Sequence, residues 1–380
     1  MTACIVGVAE SDLGVTGRTA LDLLAQASKA ALDDAGLAFP DVDGLFTAGV
    51  GRFPATLAAE YLGIYPTWTD STMAGGSSFE IFVSHAAAAI EAGLCEVALI
   101  CYGSDQRSAK RRRLAGTPDD RTPAGQFETP YGPLNPLSMY ALAAQRHMHE
   151  FGTTPEQLAE IAVAAREWAL LNPKAYRHGD GPLTVEDVLA SPTVSSPLRT
   201  LDCCLVTDGG GAVVMTSLER ARDLSETPVV VLGHGESSTH SSFSQMPDLT
   251  ATGAYLSGRI AFESSGTTPA DIDVLQIYDS FTITVLLTLE ALGFCERGEG
   301  GAFASAERLG PGGDLAMNTS GGGLSYCHPG MLGILLVVEA VRQLRGECGA
   351  RQVPDARLAL CHGTGGILST HSTVVLGVDR

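Results

Sequence analysis

Between residues 318 and 330 the chain reads Asn318-Thr319-Ser320-Gly321-Gly322-Gly323-Leu324-Ser325-Tyr326-Cys327-His328-Pro329-Gly330. Glycines at this density let one backbone approach another, or a ligand, without a Cβ in the way. A mostly apolar run from Met331 to Ala340 follows and predicts a helix. The stretch is therefore either an ordinary glycine turn that feeds a helix, or a turn whose N–H groups point at an anion near a helix start.

The same order of features occurs earlier in the chain. Near residue 70 a polar turn with Gly75-Gly76 leads into an apolar helical pattern, then into a strand-like run at 97–100 that ends in Cys101-Tyr102-Gly103. The stretch quoted above leads in the same way to a strand-like run at 358–360 that ends in Cys361-His362-Gly363. An internal repeat of this length predicts one α/β fold built from two similar halves. The alternation of helical and strand-like patterns favours mostly parallel sheets with helices on their faces.

The length of 380 residues fits two such halves. We predict an N-terminal half over 1–225, with an inserted loop region at about 104–190, and a C-terminal half over 226–380. From Ser104 to Pro136 the insertion is polar and proline-rich, and it contains Lys110-Arg111-Arg112-Arg113. Four consecutive cations in so acidic a chain are either a solvated loop edge or a patch that binds phosphates or a partner.

Composition excludes several classes of function. The net charge of −19 argues against nucleic acid and against an anionic membrane surface as partners. No apolar run reaches the length of a membrane span, and no basic segment precedes the first strand-like run, so we expect neither a membrane anchor nor a signal peptide. Nine cysteines without a framework spacing indicate reduced thiols and a cytoplasmic protein. We expect no metal site, and His147-Met148-His149 is predicted to lie on a helix surface.

Two helix starts can be predicted from their capping residues. Thr19 is placed to cap a helix that runs to about Ala35, where Gly36 ends it. Glu156 follows Thr153 by three residues, the offset of a capping box.

Candidate acid/base groups stand beside the glycine turns. A strand-like run at 272–277 delivers Tyr278, at the place where α/β folds present groups to ligands. Tyr326 and His328 follow the second turn, and Cys361 follows the last strand-like run. A tyrosine and a histidine can share general acid/base work while glycine N–H groups stabilise an oxyanion. Each residue taken singly can equally be an ordinary buried side chain.

Taken together, these motifs resemble the thiolase superfamily, and most closely its sterol-carrier-protein-x-type thiolase-like branch. The resemblance covers nearly the whole chain. It implies a five-layered αβαβα fold from two duplicated halves, a homodimer, and a coenzyme A thioester as ligand. The matching pieces are Gly75-Gly76-Ser77, the segment from Thr207 to Val214, the segment from Glu156 to Ala175, Tyr278-Asp279-Ser280-Phe281, His328-Pro329 and Cys361-x-Gly363.

The chain departs from true thiolases where their chemistry is done. Met73 stands where those enzymes have the nucleophilic cysteine, and a thioether cannot act as that nucleophile. Tyr278 stands in place of an asparagine or histidine, and Cys327 in place of a glycine. His328 and the second cysteine, as Cys361, are kept.

This pattern is similar to the thiolase-like aldolases of bacterial steroid side-chain breakdown, which act with a small partner carrying an OB-fold and a zinc ribbon. The resemblance implies a retro-aldol cleavage of a β-hydroxyacyl-CoA to a ketone and a shortened acyl-CoA. Coenzyme A would be part of the substrate, with no covalently bound cofactor. The implied catalytic residues are Tyr278, Tyr326, His328 and Cys361, and the implied coenzyme A contacts are Arg111, Arg112, Gly322 and Gly323.

Two other functions stay open at this point. One is an acetyl-CoA acetyltransferase or related acyltransferase that uses Cys361 or a serine such as Ser77 or Ser78 as nucleophile. The other is a non-catalytic subunit that binds acyl-CoA and needs a partner. A covalent acyl-enzyme would favour the first alternative, and binding without turnover would favour the second.

Overall fold

A computed structural model describes residues 2–110, 115–116, 118–224 and 227–378. Within these residues strands and helices alternate along the chain. The strands are β1 (Ala3–Glu10), β2 (Gly44–Thr47), β3 (Trp68–Asp70), β4 (Ala98–Ser104), β5 (Ala115–Gly116), β6 (Asn135–Pro136), β7 (Thr193–Ser195), β8 (Leu198–Arg199), β9 (Gly209–Ser217), β10 (Val229–Ser238), β11 (Val274–Ile277), β12 (Ala316–Met317), β13 (Leu358–Gly365) and β14 (Thr370–Val378). The helices are α1 (Ala20–Asp34), α2 (Pro54–Leu62), α3 (Ser78–Glu91), α4 (Pro123–Phe127), α5 (Leu137–Phe151), α6 (Pro155–Leu170), α7 (Val185–Ala190), α8 (Leu218–Leu224), α9 (Ala254–Ser265), α10 (Thr282–Ala291), α11 (Gly300–Phe303), α12 (Ala306–Leu309) and α13 (Gly333–Arg345).

The sheet shows the duplication directly. Its strand order is β12-β11-β13-β14-β10-β1-β9-β4-β2-β3. If the strands of each half are numbered from that half's own first strand, both halves read 3-2-4-5-1 from the outer edge inwards. The two half-sheets join antiparallel between β1 and β10, at the pairs Cys4–Val230 and Ile5–Val229. The predicted construction from two similar halves is confirmed.

Five layers follow from how the helices pack. Helices α3 and α13 contact strands of both half-sheets, so they form the central layer. Helix α1 covers β1, β4 and β9 on one outer face, and α9 covers β10 and β14 on the other. This is the αβαβα arrangement that the resemblance implied.

The prediction of mostly parallel sheets is wrong, because the sheet is mixed. Strand β2 runs parallel to β3 and β4, and β11 runs parallel to β12 and β13. The remaining neighbours in the main sheet are antiparallel. The residues 366–369 are too few for a crossover, so β13 and β14 must form a hairpin.

The insertion lies between the equivalent strands of the first half. Residues 105–208 separate β4 from β9 and include helices α4 to α7 together with the small two-stranded pairs β5–β6 and β7–β8. Helix α6 packs against the turn at 322–326, so the insertion covers one side of the quoted stretch.

The two capping predictions have different outcomes. Thr19 caps α1 as predicted, and its hydroxyl accepts a hydrogen bond from the Asp22 amide in a capping box. The box predicted from Thr153 and Glu156 is wrong by one residue: Thr154 caps α6 and pairs with Gln157. Pro155 occupies the first helical position, which suits a residue without an N–H, and this sets the start of the helix.

His147 does not lie on a helix surface, as had been predicted. Its side chain is fully buried, with Nδ1 2.7 Å from Thr153 Oγ1 and Nε2 3.1 Å from Glu290 Oε1. The ring therefore connects α5 to α10 inside the core. In the part of the chain that the structure describes, no helix is both long and apolar enough to cross a membrane.

Candidate active site

Tyr278 stands at the carboxyl end of β11, as predicted, and its amide donates to the His362 carbonyl of β13 at 2.9 Å. Its ring packs on the first glycine turn. A Cβ built on Gly76 would lie 2.2 Å from Cε2 of this ring, so a residue larger than glycine would collide with it. The glycine repeat thus provides the space in which the tyrosine ring sits.

The phenol oxygen of Tyr278 meets groups from the second glycine turn. It lies 3.0 Å from His328 Nε2 and 3.3 Å from the Gly330 carbonyl oxygen. The Leu332 amide donates to it at 3.3 Å, directly before the first residue of α13. The N-terminus of a helix carries partial positive charge, so this position stabilises negative charge on the oxygen.

His328 is held by the glycine-rich segment before β9. Its amide donates to Thr207 Oγ1 at 3.0 Å, and the Thr207 hydroxyl also lies 3.1 Å from Cys327 Sγ. The Tyr102 hydroxyl donates to the Pro329 carbonyl at 2.8 Å. The His-Pro turn is therefore fixed by both β4 and the segment that precedes β9.

Tyr278 and His328 line one pocket of about 190 Å³. Both glycine-rich turns face it, together with a third group of glycines at the end of β13. Thr364 in that group was missed by the sequence reasoning, although its place in Gly363-Thr364-Gly365-Gly366 was a usable signal. The pocket is lined by Gly75, Gly76, Pro136, Tyr140, Tyr278, Ser280, Phe281, His328, Gly330, Met331, Thr364, Gly365 and Gly366.

The N–H groups of the second glycine turn are used inside the protein. Residues 322–326 form a short π-helical turn, in which the Gly323 amide donates to Asp279 Oδ1 at 2.6 Å and the Leu324 amide to Oδ2 at 3.1 Å. Burial raises the pKa of Asp279 to about 7, against the lowering effect of these N–H groups. Of the two glycines predicted as coenzyme A contacts, Gly323 thus holds Asp279 in this structure, and the Gly322 amide donates to Ser320 Oγ at 3.4 Å.

Tyr326 is buried at the end of the same turn, but it is not among the described residues that line the pocket. Burial raises the pKa of its phenol well above the usual value, and the nearby carboxylate of Glu10 raises it further while Arg342 opposes. Glu10 and Arg342 are themselves an ion pair. The structure therefore brings Tyr278 and His328 together, and Tyr326 is a buried phenol outside the described lining of the pocket.

Cys361 is likewise not among the residues that line the pocket. Strand β13 continues to Gly365, so Cys361 lies inside the strand and not at its end, as the sequence suggested. Its thiol is fully buried and faces the Leu336 carbonyl at 3.7 Å. Burial raises the pKa of this thiol well above its usual value, which disfavours the thiolate.

The other nucleophile candidates have equally little access to the pocket. Met73 points outward with 59 % of its surface exposed. The Ser77 hydroxyl donates to the Ala74 carbonyl, and the Ser78 hydroxyl accepts from the Ala74 amide. Both serines are fully buried in the turn that they stabilise.

A larger chamber of about 590 Å³ adjoins the pocket and shares Pro136 and Phe281 with it. Most of its other lining is apolar, from the insertion and from Leu324, and Arg107 and Arg177 contribute the charge. Arg111 and Arg112, predicted to contact coenzyme A, lie outside the described residues. Among the residues that are described, no cluster of three or more His, Cys, Asp or Glu side chains could hold a metal ion.

The chain is similar in sequence and in structure to several known proteins. A protein-family model described as "Thiolase C-terminal domain-like" matches residues 235–378. A 17-hydroxy-3-oxo-4-pregnene-20-carboxyl-CoA lyase of Mycobacterium tuberculosis is 38% identical, over 90% of this chain and 92% of that protein. An acetyl-CoA acetyltransferase of Methanothermobacter thermautotrophicus is 33% identical, over 97% of this chain and 98% of that protein. The solved structure of an "Ltp2-ChsH2(DUF35) aldolase" superposes with a TM-score of 0.90 at 34% identity, covering 100% of this chain and 98% of the matched one.

Proposed function

Because the chain belongs to the thiolase superfamily, in its sterol-carrier-protein-x-type thiolase-like branch, we propose that it is a carbon–carbon lyase that cleaves a β-hydroxyacyl-CoA by a retro-aldol step. The single observation that carries this proposal is the contact between the Tyr278 phenol and His328 Nε2 at 3.0 Å, in a pocket without a cysteine among its described residues. The substrate class that we propose is a β-hydroxyacyl-CoA with a steroid-type side chain.

Tyr278 is the base in this mechanism. As a phenolate it takes the proton of the β-hydroxyl, and the new carbonyl forms as the bond between the α and β carbons breaks. The bonding pair goes to the thioester, which becomes an enolate. The Leu332 amide and the N-terminus of α13 lie where they stabilise the phenolate before the reaction. We propose that this amide contact favours the phenolate of a group whose reference pKa is about 10.

His328 lies beside the base, and we propose that it also stabilises the enolate oxygen. Hydrogen-bond donors placed where charge develops are often the largest contribution to catalysis. The Thr207 contact to its amide fixes the backbone of His328, and the ring itself contacts the Tyr278 hydroxyl. The product enolate then takes one proton at its α carbon, which gives the shortened acyl-CoA.

Tyr326 is the candidate donor of that second proton. Its phenol stays protonated at neutral pH, which is the state that a proton donor needs. An experiment can separate its role from that of Tyr278. Incubated in D₂O with the product acyl-CoA, the wild-type enzyme is expected to exchange the α protons, and to do so faster at higher pH, because the reverse of the last step needs Tyr326 as a phenolate.

The two tyrosine variants should then differ. The Tyr278→Phe variant is expected to keep the exchange, because it lacks only the base for the β-hydroxyl. The Tyr326→Phe variant is expected to lose it. Exchange at the wild-type rate in Tyr326→Phe would assign the proton to another group, and no exchange in the wild type would contradict an enolate mechanism.

An acyltransferase function has one observation in its favour, the match to the Methanothermobacter acetyltransferase over nearly the whole chain. Neither Met73 nor Cys361 is among the residues that line the pocket. Met73 is exposed at the surface, and Cys361 is fully buried. Mass spectrometry of the intact protein after incubation with acetyl-CoA or a β-ketoacyl-CoA would detect an acyl-enzyme, and we expect none.

We propose that the chamber beside the pocket receives the coenzyme A part of the substrate. Arg107 and Arg177 supply positive charge for its phosphates, and the apolar lining suits the pantetheine arm. Pro136 and Phe281 line both the chamber and the pocket, and we propose that the substrate passes between them to Tyr278.

We also propose a hetero-oligomer. The solved Ltp2-ChsH2(DUF35) aldolase is named for two components, one of them marked DUF35. We propose a homodimer of this chain with a small zinc-ribbon and OB-fold partner, as the resemblance implies. Co-expression with a DUF35 protein, followed by size-exclusion chromatography with light scattering, tests this assembly. Separate elution of the two proteins at micromolar concentration would contradict it.

A further inference from the structure

Glu80 is a buried acid that the proposed mechanism does not use. It lies on α3, one turn after the Gly76 that packs on Tyr278, and it is fully buried. Neither of its carboxyl oxygens has a hydrogen-bond partner among the described residues. Burial raises the pKa of this carboxyl to about 8, so it is a neutral acid at pH 7.

Two glycines make room for this side chain. A Cβ on Gly363 would lie 2.2 Å from Glu80 Oε2, and a Cβ on Gly333 would lie 2.4 Å from the same oxygen. Gly333 is the first residue of α13, and the preceding residue, Leu332, donates its amide to the Tyr278 phenol. The Glu80 carboxyl and the Tyr278 phenol therefore share the N-terminus of one helix.

The surroundings of Glu80 carry little other charge. On β13 it faces the Cys361 thiol, whose ionisation it opposes, and Gly363, where a built Cβ would also meet Ser77 Cα at 2.7 Å. On α13 it faces Gly333, and beyond this residue the titratable neighbours are Tyr278 and His328. No cation among the described residues pairs with it.

We propose that Glu80 is a positioning residue that sets how readily Tyr278 ionises, an inference that rests on the proposed role of Tyr278 as base. As a neutral acid, Glu80 leaves the N-terminus of α13 available to the phenol oxygen. As a carboxylate, it places a second negative charge at that same terminus and opposes the phenolate. Glu80 thereby raises the pH at which Tyr278 ionises.

The test is a titration that needs no turnover. Ultraviolet absorbance of tyrosinate is followed against pH in the wild type, Tyr278→Phe, Glu80→Gln and the double variant, and the Tyr278 signal is obtained by difference. The midpoint of that signal should fall by about one pH unit in Glu80→Gln, because the opposing charge is gone. In parallel, the infrared carbonyl band of a protonated carboxylic acid should be present at pH 7 in the wild type and missing in Glu80→Gln.

The matched control is Glu128→Gln, which changes another buried carboxyl that lies away from α13 and accepts a hydrogen bond from the Ser244 amide. It should leave the Tyr278 midpoint unchanged. If Glu80→Gln does not fold, Glu80→Met fills a similar volume without charge and serves in its place. An unchanged Tyr278 midpoint in the folded variant, or no infrared band that depends on Glu80 at pH 7, would overturn the inference. Absence of aldolase activity with the expected titration would count against the proposed function alone.

Discussion

At the scale of single residues, the chemistry converges on one phenol oxygen. Two segments that are far apart in sequence meet there: the strand end that carries Tyr278, and the turn that carries His328 and leads directly into α13. A hydroxyl that faces a histidine nitrogen and a helix N-terminus can exchange its proton without a covalent intermediate. Replacement of the thiolase cysteine by Met73 is consistent with such a mechanism.

Removal of this hydroxyl is the first test at the residue scale. Tyr278→Phe keeps the ring that fills the space beside Gly76 and removes the base, so kcat for cleavage should fall about 100-fold or more. Steady-state kinetics with a β-hydroxyacyl-CoA measure the effect. Tyr61→Phe is the matched control, because its hydroxyl donates to Asp22 on the surface, and it should retain full activity. Equal activity of Tyr278→Phe and the control would remove Tyr278 from the mechanism.

The positions of single residues could be predicted from sequence where a strand end or a glycine turn precedes them. Tyr278 follows a strand and His328 follows a glycine turn, and the structure places both at one pocket. The direction of Tyr326 could not be predicted, because a π-helical turn rotates the side chain relative to an α-helix. The burial of Glu80 could not be predicted from sequence, because the space for its side chain depends on two glycines from distant segments.

At the scale of elements, helix α3 approaches β11 and β13 closely because glycines stand at the contacts. Gly76→Ala would place a methyl group 2.2 Å from the Tyr278 ring and 2.5 Å from the Thr364 carbonyl oxygen. Overpacking of this kind costs about 1–3 kcal/mol and here also displaces the base. In Gly76→Ala, both the free energy of unfolding, measured by urea titration, and kcat should fall.

Gly179→Ala is the control for this substitution, since a Cβ at Gly179 meets nothing within 4 Å. It should change neither the stability nor kcat. A Gly76→Ala variant as active as Gly179→Ala would show that the Tyr278 ring can move without loss of function.

The hairpin β13–β14 carries a second test at this scale. His362 and His371 stack in the core with His362 Nε2 3.3 Å from His371 Nδ1, and burial lowers the pKa of both rings, that of His371 to about 4. Both rings are therefore neutral in the folded protein and protonate more readily when it unfolds. The stability that the two neutral rings contribute is fully present above the pKa of histidine in the unfolded chain, about 6.5. It is lost as the pH falls toward 4.

When the pH is lowered from 7 to 5, the contribution of His371 to the free energy of unfolding should fall by about 2 kcal/mol. Urea titrations at both pH values measure this loss, and His371→Gln should reduce it. A stability difference between the two pH values that is the same in the variant and the wild type would contradict the assignment.

Element directions were less predictable than element positions. The repeated polar turn, helix and strand indicated two equivalent halves, and the common strand order bears this out. Periodicity does not report whether two strands run parallel, so the antiparallel pairs of the sheet could not be predicted from it. The continuation of β13 past Cys361 was missed because Gly363 and Gly365 read as a turn, although they are extended and let α3 pack against the strand.

At the scale of the whole molecule, the duplication creates the central helix layer and the insertion creates the second chamber. The chamber and the pocket meet at Pro136 and Phe281, so one substrate can extend through both. Arg107→Ala should raise KM for an acyl-CoA about fivefold and leave kcat unchanged, because a phosphate contact made equally in ground and transition state affects binding alone.

Two controls accompany this variant. A pantetheine thioester, which lacks the nucleotide, should show the same KM with the wild type and Arg107→Ala. Arg220→Ala removes an exposed arginine outside the chamber and should change neither constant. An unchanged KM for acyl-CoA in Arg107→Ala would place the nucleotide elsewhere.

Analysis of the reaction products tests the proposed retro-aldol cleavage most directly. The purified protein, with and without a DUF35 partner, is incubated with a β-hydroxyacyl-CoA that carries a tertiary alcohol, and the products are identified by mass spectrometry. We predict a ketone and a shortened acyl-CoA such as propionyl-CoA, formed by the wild type and not by Tyr278→Phe. Intact substrate under both conditions, together with thiolysis of a β-ketoacyl-CoA, would contradict the account and identify a thiolase.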